Sequence, residues 1–426
     1  MDIKSVQGVV ISKEYLQSPF IENIEEYVVA FLDIDNIRYI NGTFGHSIGD
    51  KFLSMFGNRL SQIVGEEGIV FKYNGGEFVI LLHKNEKELI DKKVQSIVNK
   101  SNKVFKEEDY EILSTVSIGI YTPNSNDKID DTIKKAYIAM YQGKTEGKGN
   151  YKHFTDSIEE KIKRKTLLTK ELTKSIERNY EGLYLIYQPI YNVVEKKIDE
   201  AEALMRWKNQ ELGEISPAEF IPIAEEMGLI RKLGYWLIKK VLRQIKEWNK
   251  EGLNLKIAIN ISPQQVAEKD FLKKIKETIH EEDIDFRQIK LEITETQILK
   301  LDEQRFKDLT ELINLGVDIA LDDFGEGYSS IKSLVFSPIT EVKIDKIFID
   351  YIHQDEKIQK LISSIIYTVH RLGYKVIAEG VEYKEQFDKL LEYGCDKIQG
   401  YYIERPIDEK KIVEFIKGFH NTPYAI

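Results

Sequence analysis

The chain has 426 residues, more than one ordinary domain needs, so two or three domains are expected. Hydrophobic residues make up 42% and charged residues 31%, a balance that excludes a disordered or membrane-embedded chain. The net charge of −10 excludes a broad nucleic-acid-binding surface, although bound cations can still invert the local field for small anions.

Residues 1–23 read as an N-terminal extension without the basic start and apolar core of a secretion signal. Strand-like and helix-like segments then alternate. YVVAFLDI comes first, then a helix from about Gly49, a hairpin of GIVFKY and EFVILLH, a helix near residues 86–106, the strand STVSIGIY and a helix from about Asp130. This order predicts a small α/β sandwich over residues 24–155. Between Gly149 and Gly182 there is neither Gly nor Pro. Ser157-Ile158-Glu159-Glu160 reads there as a capping box, and Ile158, Ile162, Leu168, Leu172 and Ile176 recur at helical spacing. A helix over 156–178 follows, either a connector that transmits rotation between domains or simply the first helix of the second.

From 179 to 420, short β-branched runs end in polar residues and mostly alternate with helical stretches. They are LYLIYQPI, DEAEALMRW, LKIAINIS, IKLEITE, VDIALDDFG, TEVKID, KVIAEGVE and DKIQGYY. Such a series predicts a (β/α)8 barrel with one antiparallel strand, because the first two runs lie too close for an intervening helix. In such barrels the C-terminal strand ends carry the chemistry, and Glu202, Asn260, Glu292, Asp322, Asp323, Lys343, Glu379 and Gln399 stand there. Converging carboxylates repel one another unless cations neutralise them. An all-oxygen donor set selects Mg²⁺ or Mn²⁺, and two metals sharing a bridging carboxylate clamp a phosphodiester for hydrolysis. The adjacent Asp322 and Asp323 are placed for bridging. Lys343 could deprotonate or orient the water if metals and burial lower its pKa.

Glu202-Ala203-Leu204 followed by Arg206-Trp207, with YQPI, NIS, LEITE, DDFGEGYSS, VKID, AEGVE and QGYY in order, resembles the EAL domain family of cyclic-di-GMP phosphodiesterases over about residues 180–415. The resemblance implies hydrolysis of cyclic-di-GMP to linear pGpG by two metals in a TIM-like barrel. It implies Glu202, Asn260, Glu292 and Asp322 as ligands of the first metal, and Asp322, Asp323 and Glu379 around the second. It further implies Lys343 at the hydrolytic water, Gln188, Arg206 and Gln399 as contacts to substrate or water, and Glu295 bracing the loop after Asp323. A homodimer through the barrels is also implied. One departure is Glu326, where the family usually has a small residue or Thr, which leaves the catalytic rate open.

FLDIDNIRYINGTFGHSIGDKFL, SIGIY and AYIAMYQGKTEGKGN resemble the GGDEF domain family of diguanylate cyclases over about residues 24–154. The signature here reads Asn74-Gly75-Gly76-Glu77-Phe78, with Gly76 where that family carries an acidic residue. The resemblance therefore implies severely impaired condensation of GTP. Asp33 and Glu77 remain as metal positions, Asn41 and Asp50 as guanine positions, and Lys144 and Lys148 as triphosphate positions, with Lys148 replacing the usual Arg. Gly65-Glu66-Glu67-Gly68 occupies the place of the upstream RxxD motif. This half reads either as a module that binds GTP with Mg²⁺ and regulates the barrel, or as a scaffold. The retained positions favour the first.

Other signals are discounted. Gly143-Lys144-Thr145 lacks the first P-loop glycine at Ile138, and Gly325-x-Gly327 lacks a third glycine. The seven histidines show no paired metal spacing. No apolar run approaches the roughly 18 residues of a membrane helix. The single Cys395 can form neither an internal disulfide nor a thiolate zinc site, so a cytoplasmic setting is expected. The expected protein is a cyclic-di-GMP phosphodiesterase with a degenerate GGDEF domain; the alternative is a non-catalytic cyclic-di-GMP or GTP receptor acting through a partner.

Overall fold

Two compact units, residues 1–164 and 165–426, divide the computed structural model, which describes residues 10–17, 23–85, 87–102, 104–107, 110–325 and 331–421. In the first unit the apolar runs become strands β1 (Val10–Ser12), β2 (Tyr27–Ile34), β3 (Gly68–Asn74) and β4 (Glu77–His83), then β5 (Phe105–Glu107), β6 (Tyr110–Ile112), β7 (Val116–Tyr121) and β8 (Tyr151–His153). The helices are α1 (Ile37–Phe44), α2 (His46–Val64), α3 (Lys87–Ser101) and α4 (Ile129–Glu146). One six-stranded sheet runs β1-β3-β4-β2-β7-β8, with β2 buried at its centre. The register sets Asp33 opposite Glu77 on β4 and opposite Ser117 on β7.

Two local expectations change. The helix expected near 86–106 ends at Ser101, and β5 and β6 pair as a separate hairpin. Phe105 turns away from helical phase because its ring packs on Phe52 and Phe56 under the Arg59 guanidinium. The helix expected from Gly49 starts at His46, split from α1 by Gly45, whose φ of 86° a side chain would resist. Helix α5 spans Asp156–Glu177, so Ser157 lies in its first turn rather than before it.

In the second unit the barrel strands are β9 (Leu183–Asn192), β10 (Lys197–Asn209), β12 (Lys256–Asn260), β13 (Ile289–Thr294), β14 (Asp318–Phe324), β15 (Glu341–Ile344), β16 (Lys375–Ala378) and β17 (Lys397–Gln399). A short β11 (Gly213–Ile215) extends β10 at the rim. The sheet closes through β9, which is antiparallel to both β10 and β17, while the other ladders around the barrel are parallel. The larger helices packed outside include α6 (Pro217–Glu226), α7 (Ile230–Lys250), α9 (Phe271–Glu282), α11 (Glu303–Leu315), α14 (Glu356–Arg371), α15 (Lys384–Glu392) and α16 (Lys411–Asn421). Short α8 (Pro263–Val266), α10 (Glu295–Ile298), α12 (Ile331–Phe336) and α13 (Lys346–Ile349) follow strand ends.

Counted from β9, the even strands β10, β13, β15 and β17 send Glu200, Lys290, Glu341 and Lys397 into the lumen as one layer of four. Acid and base alternate around it. Lys290 lies 2.5 Å from Glu200 and 2.5 Å from Glu341, and Lys397 repeats both distances, closing a ring. Burial opposes the Glu341 charge, yet Lys290 and Lys397 outweigh it and pull its carboxyl from 4.5 down to about 2. A depressed acid stabilises the fold above its unfolded value, so this contribution is complete above about pH 5 and lost as pH falls towards 2. Lys290→Met would leave two buried carboxylates with one ammonium and should destabilise the barrel by about 3–5 kcal/mol. Urea unfolding read by tryptophan fluorescence measures this directly, because Trp207, Trp236 and Trp248 all lie in the second unit.

Candidate active site of the barrel

Side chains two apart on a strand share a face, so the layer above the ring comes from the same strands: Glu202, Glu292, Lys343 and Gln399. Signs no longer alternate. Lys343 sits 2.9 Å from Glu292, 3.0 Å from Asp322 and 2.5 Å from Glu379. Glu202 accepts hydrogen bonds from Asn260 Nδ2 at 2.7 Å and from Gln399 Nε2 at 2.7 Å, and Gln399 also donates to Gln188.

Asp322 and Asp323 are neighbours, which a regular strand would point to opposite faces. Leu321 stands opposite Val342 and Phe324 opposite Ile344, so β14 carries one extra residue against β15. At this bulge Asp323 takes a φ of 55°, a left-handed conformation that Asp tolerates better than most residues. Carboxylate oxygens of Asp322, Asp323 and Glu379 thereby come within 4.8 Å of one another. Gly325 follows with a φ of 110°, and a Cβ there would lie 2.0 Å from the Phe348 ring. Glu326, expected to modulate this loop, lies outside the described residues.

Five carboxyl groups thus face the Lys343 ammonium; with all five ionised the excess is four negative charges, which two divalent cations would neutralise. Glu292 Oε2 is buried with no hydrogen-bond partner among the described residues, and Glu292 Oε1 and Asp322 Oδ1 are buried against the Lys343 ammonium. Such acceptor-only, oxygen-only surroundings fit hard cations. Burial pushes the Glu292 carboxyl well above its ordinary range, with Glu202, Asp322 and Glu379 adding to it and Lys343 opposing. Burial likewise pushes Glu379 up to about 8, against Lys343. Lys343 is the reverse case: burial works against its charge, but Asp322, Glu292 and Glu379 hold the ammonium well above its ordinary range. The expectation that Lys343 deprotonates or orients the water supposed bound metals; with the carboxyl groups alone around it, its proton is held. In this charge environment it is an ammonium.

The structure gathers Gln188, Glu202, Asp322, Asp323, Lys343, Glu379 and Gln399 around one cleft of about 350 Å³. Arg206, Asn260 and Glu292 line a neighbouring cavity of about 310 Å³, walled by apolar Pro217, Ile221 and Leu237. Glu295 is buried at the start of α10, which packs on β14. Sequence reasoning missed Lys346, Glu382 and Tyr401 on the cleft rim, where Lys346 and Glu382 form an ion pair. Their position just beyond VKID, in AEGVE and in QGYY was the available signal.

In the first unit Asp33, Glu77, Lys144 and Lys148 line a cavity of about 590 Å³ together with Arg38 and Gly76. Lys144 is ion-paired with Asp33 and stands 3.5 Å from Asp35, which itself accepts from Thr115, Ser117 and the Gly149 amide. Asn41 and Asp50 do not line this cavity. The Asn41 amide instead packs against Gly49, where a Cβ would lie 1.8 Å from its oxygen.

The EAL domain profile matches residues 169–406, more than half of the chain. The chain belongs to the EAL domain family. A second profile, diguanylate cyclase GGDEF domain, matches residues 13–150, so the two domains stand in tandem. Signaling protein YkoW of Bacillus subtilis (strain 168) is 36% identical over 91% of this chain and 49% of its own length. Cyclic di-GMP phosphodiesterase PdeR of Escherichia coli (strain K12) is 31% identical over 89% of this chain and 57% of its own. The chain thus spans about half the length of these curated relatives. The solved structure of the PaMucR phosphodiesterase in complex with c-di-GMP covers 58% of this chain and 99% of its own, with 32% identity and a TM-score of 0.54.

The EAL barrel has a testable electrostatic signature. Folded Glu379 keeps a proton up to about pH 8 that the unfolded chain releases near 4.5, so stability falls as pH rises between these values. In chelator the tryptophan-monitored melting temperature should be lower at about pH 8 than at about pH 6, and Mn²⁺ should raise it most at the higher pH.

Proposed function

We propose that the EAL barrel hydrolyses cyclic di-GMP to linear pGpG. The observation that carries this is the excess of carboxyl groups gathered around Lys343 at the C-terminal mouth of the barrel. The names of PdeR and of the MucR complex support the substrate. In this reading Glu202, Asn260, Glu292 and Asp322 hold one Mg²⁺ or Mn²⁺, and Asp322, Asp323 and Glu379 a second. Bound cations there supply positive charge to the scissile phosphate and acidify a water.

The chain's own groups do the remaining work. The Asn260 nitrogen is engaged by Glu202, which leaves its oxygen as the donor for a hard cation. Gln399 and Gln188 share a hydrogen bond on the cleft wall and offer amide groups to the phosphodiester or its water. Lys343 presents its ammonium to the attacking oxygen and to the phosphate. One P–O3′ bond breaks, the water oxygen joins phosphorus, and the departing 3′-oxygen takes a proton, giving the 5′-phosphate of pGpG. A non-catalytic receptor would not require an uncompensated acid set of this size.

We further read the first domain as an inactive cyclase that binds GTP with Mg²⁺ and alters the barrel's rate. Support comes from the cavity holding Lys144, Lys148 and Arg38 beside Asp33 and Glu77, with Gly76 offering no carboxylate. Pairing of two chains through the barrels is proposed on the exposed Phe336, Ile347 and Tyr351. No helix among the described residues is long and apolar enough to cross a membrane. The cytoplasmic assignment is supported by the lone, buried Cys395.

Purified chain with cyclic di-GMP and Mn²⁺, analysed by chromatography, should yield pGpG. Glu202→Ala should lower turnover by more than ~100-fold, beyond the 10–100-fold that loss of an outer partner costs; unchanged turnover would refute the metal assignment. Calorimetry should show GTP binding and Asp33→Ala should weaken it, whereas no heat at millimolar GTP would leave the domain as a scaffold.

A further inference from the structure

Glycine is among the worst residues for a helix interior, yet Gly234 lies within the 21-residue α7. Its backbone is not left-handed, so conformation does not explain it. Space does. A Cβ on Gly234 would lie 2.2 Å from Gln265 Oε1 and 2.3 Å from Cδ and Nε2 of the same amide. Gln265 is 1% exposed, and its oxygen accepts from the Ser262 backbone nitrogen at 3.2 Å and from Ser262 Oγ at 3.0 Å. Ser262 Oγ in turn accepts from the Gln265 nitrogen at 3.3 Å.

Ser262 stands two residues after Asn260, the last residue of β12. Between them, the Ile261 nitrogen donates to the Glu292 carbonyl at 3.0 Å. The exit of β12 is thus pinned on one side to β13 and on the other to an amide whose place is set by α7. The Gln265 Nε2 is buried without an acceptor. A glutamate would serve the same cap without that orphan donor, but it would add a negative charge to the cavity that Gln265 shares with Asn260 and Glu292.

We propose that Gly234 and Gln265 form a packing lock that positions Asn260 against Glu202 and thereby sets the metal affinity of the barrel site. This rests on the reading of Asn260 and Glu202 as metal ligands. Gln265 is a positioning residue, and the glycine opposite it is what lets the amide reach Ser262. Gly234→Ala drives the amide off Ser262 although alanine suits the helix better.

The test is Mn²⁺ binding by calorimetry on the full chain, with melting temperatures measured alongside. Gly234→Ala and Gln265→Ala should each weaken Mn²⁺ binding by ~10-fold, the lower end for loss of a supporting partner. The double variant should bind no more weakly than Gln265→Ala alone, because truncating Gln265 makes room for the methyl. Its melting temperature should exceed that of Gln265→Ala, since the glycine penalty in α7 is then relieved. Mn²⁺ binding within twofold of the parent in Gln265→Ala and in Gly234→Ala would overturn the lock while leaving the metal site standing. Effects that add in the double variant would overturn it too. A parent chain that binds no Mn²⁺ would remove the metal reading and the lock with it.

Discussion

Charge balance inside a closed barrel is the constraint on which the second domain depends. The lumen is too narrow for bulk water, so each charge placed there must find its opposite within contact distance. In the lower layer the even strands present Glu, Lys, Glu and Lys, and the ring closes on itself. Two residues along the same strands the series becomes Glu, Glu, Lys and Gln, and the balance fails. The odd strands worsen it with Asp322 and, at a strand end, Glu379. The same construction, repeated one layer higher with different letters, changes from a structural plug into a cluster of carboxyl groups in excess of its ammonium.

Holding that imbalance in place requires local devices that carry their own strain. The bulge in β14 turns two consecutive aspartates towards one point at the expense of a left-handed Asp323. Glu379 is tied by its backbone nitrogen to the Ile344 carbonyl, which sets it at the end of β15 beside Lys343. Lys343 offsets part of the repulsion among the carboxylates, and Asp322, Glu292 and Glu379 in turn hold its proton. A lysine so placed is better suited to steadying charge than to accepting a proton.

Much of this was legible in the letters. Strand ends in the barrel follow from β-branched runs closed by polar residues, and Glu202, Asp322, Lys343 and Glu379 stand where those runs stop. The Asp322-Asp323 pair announces itself, although the bulge that makes it workable does not. The lower ring was not legible, because Glu200, Lys290, Glu341 and Lys397 look like ordinary solvated charges until closure brings four strands together. The sense of the Lys343 shift was hidden for the same reason: burial and neighbouring carboxylates act in opposite directions, and only distances decide between them. In the first domain Asp33, Glu77, Lys144 and Lys148 converge, whereas Asn41 is occupied by packing against Gly49. The β5–β6 hairpin escaped because one aromatic contact, Phe105 on Phe52 and Phe56, outweighs helical periodicity.

The order in which the ring's members leave the ribosome has a consequence of its own. Glu200, Lys290 and Glu341 are synthesised well before Lys397, which sits on the last barrel strand. Without β17 the lower ring has two carboxylates against a single ammonium. Lys397 supplies the second ammonium of the ring. The strand that carries it also pairs with both β16 and β9, so the residue that balances the ring's charge arrives with the strand that closes the sheet.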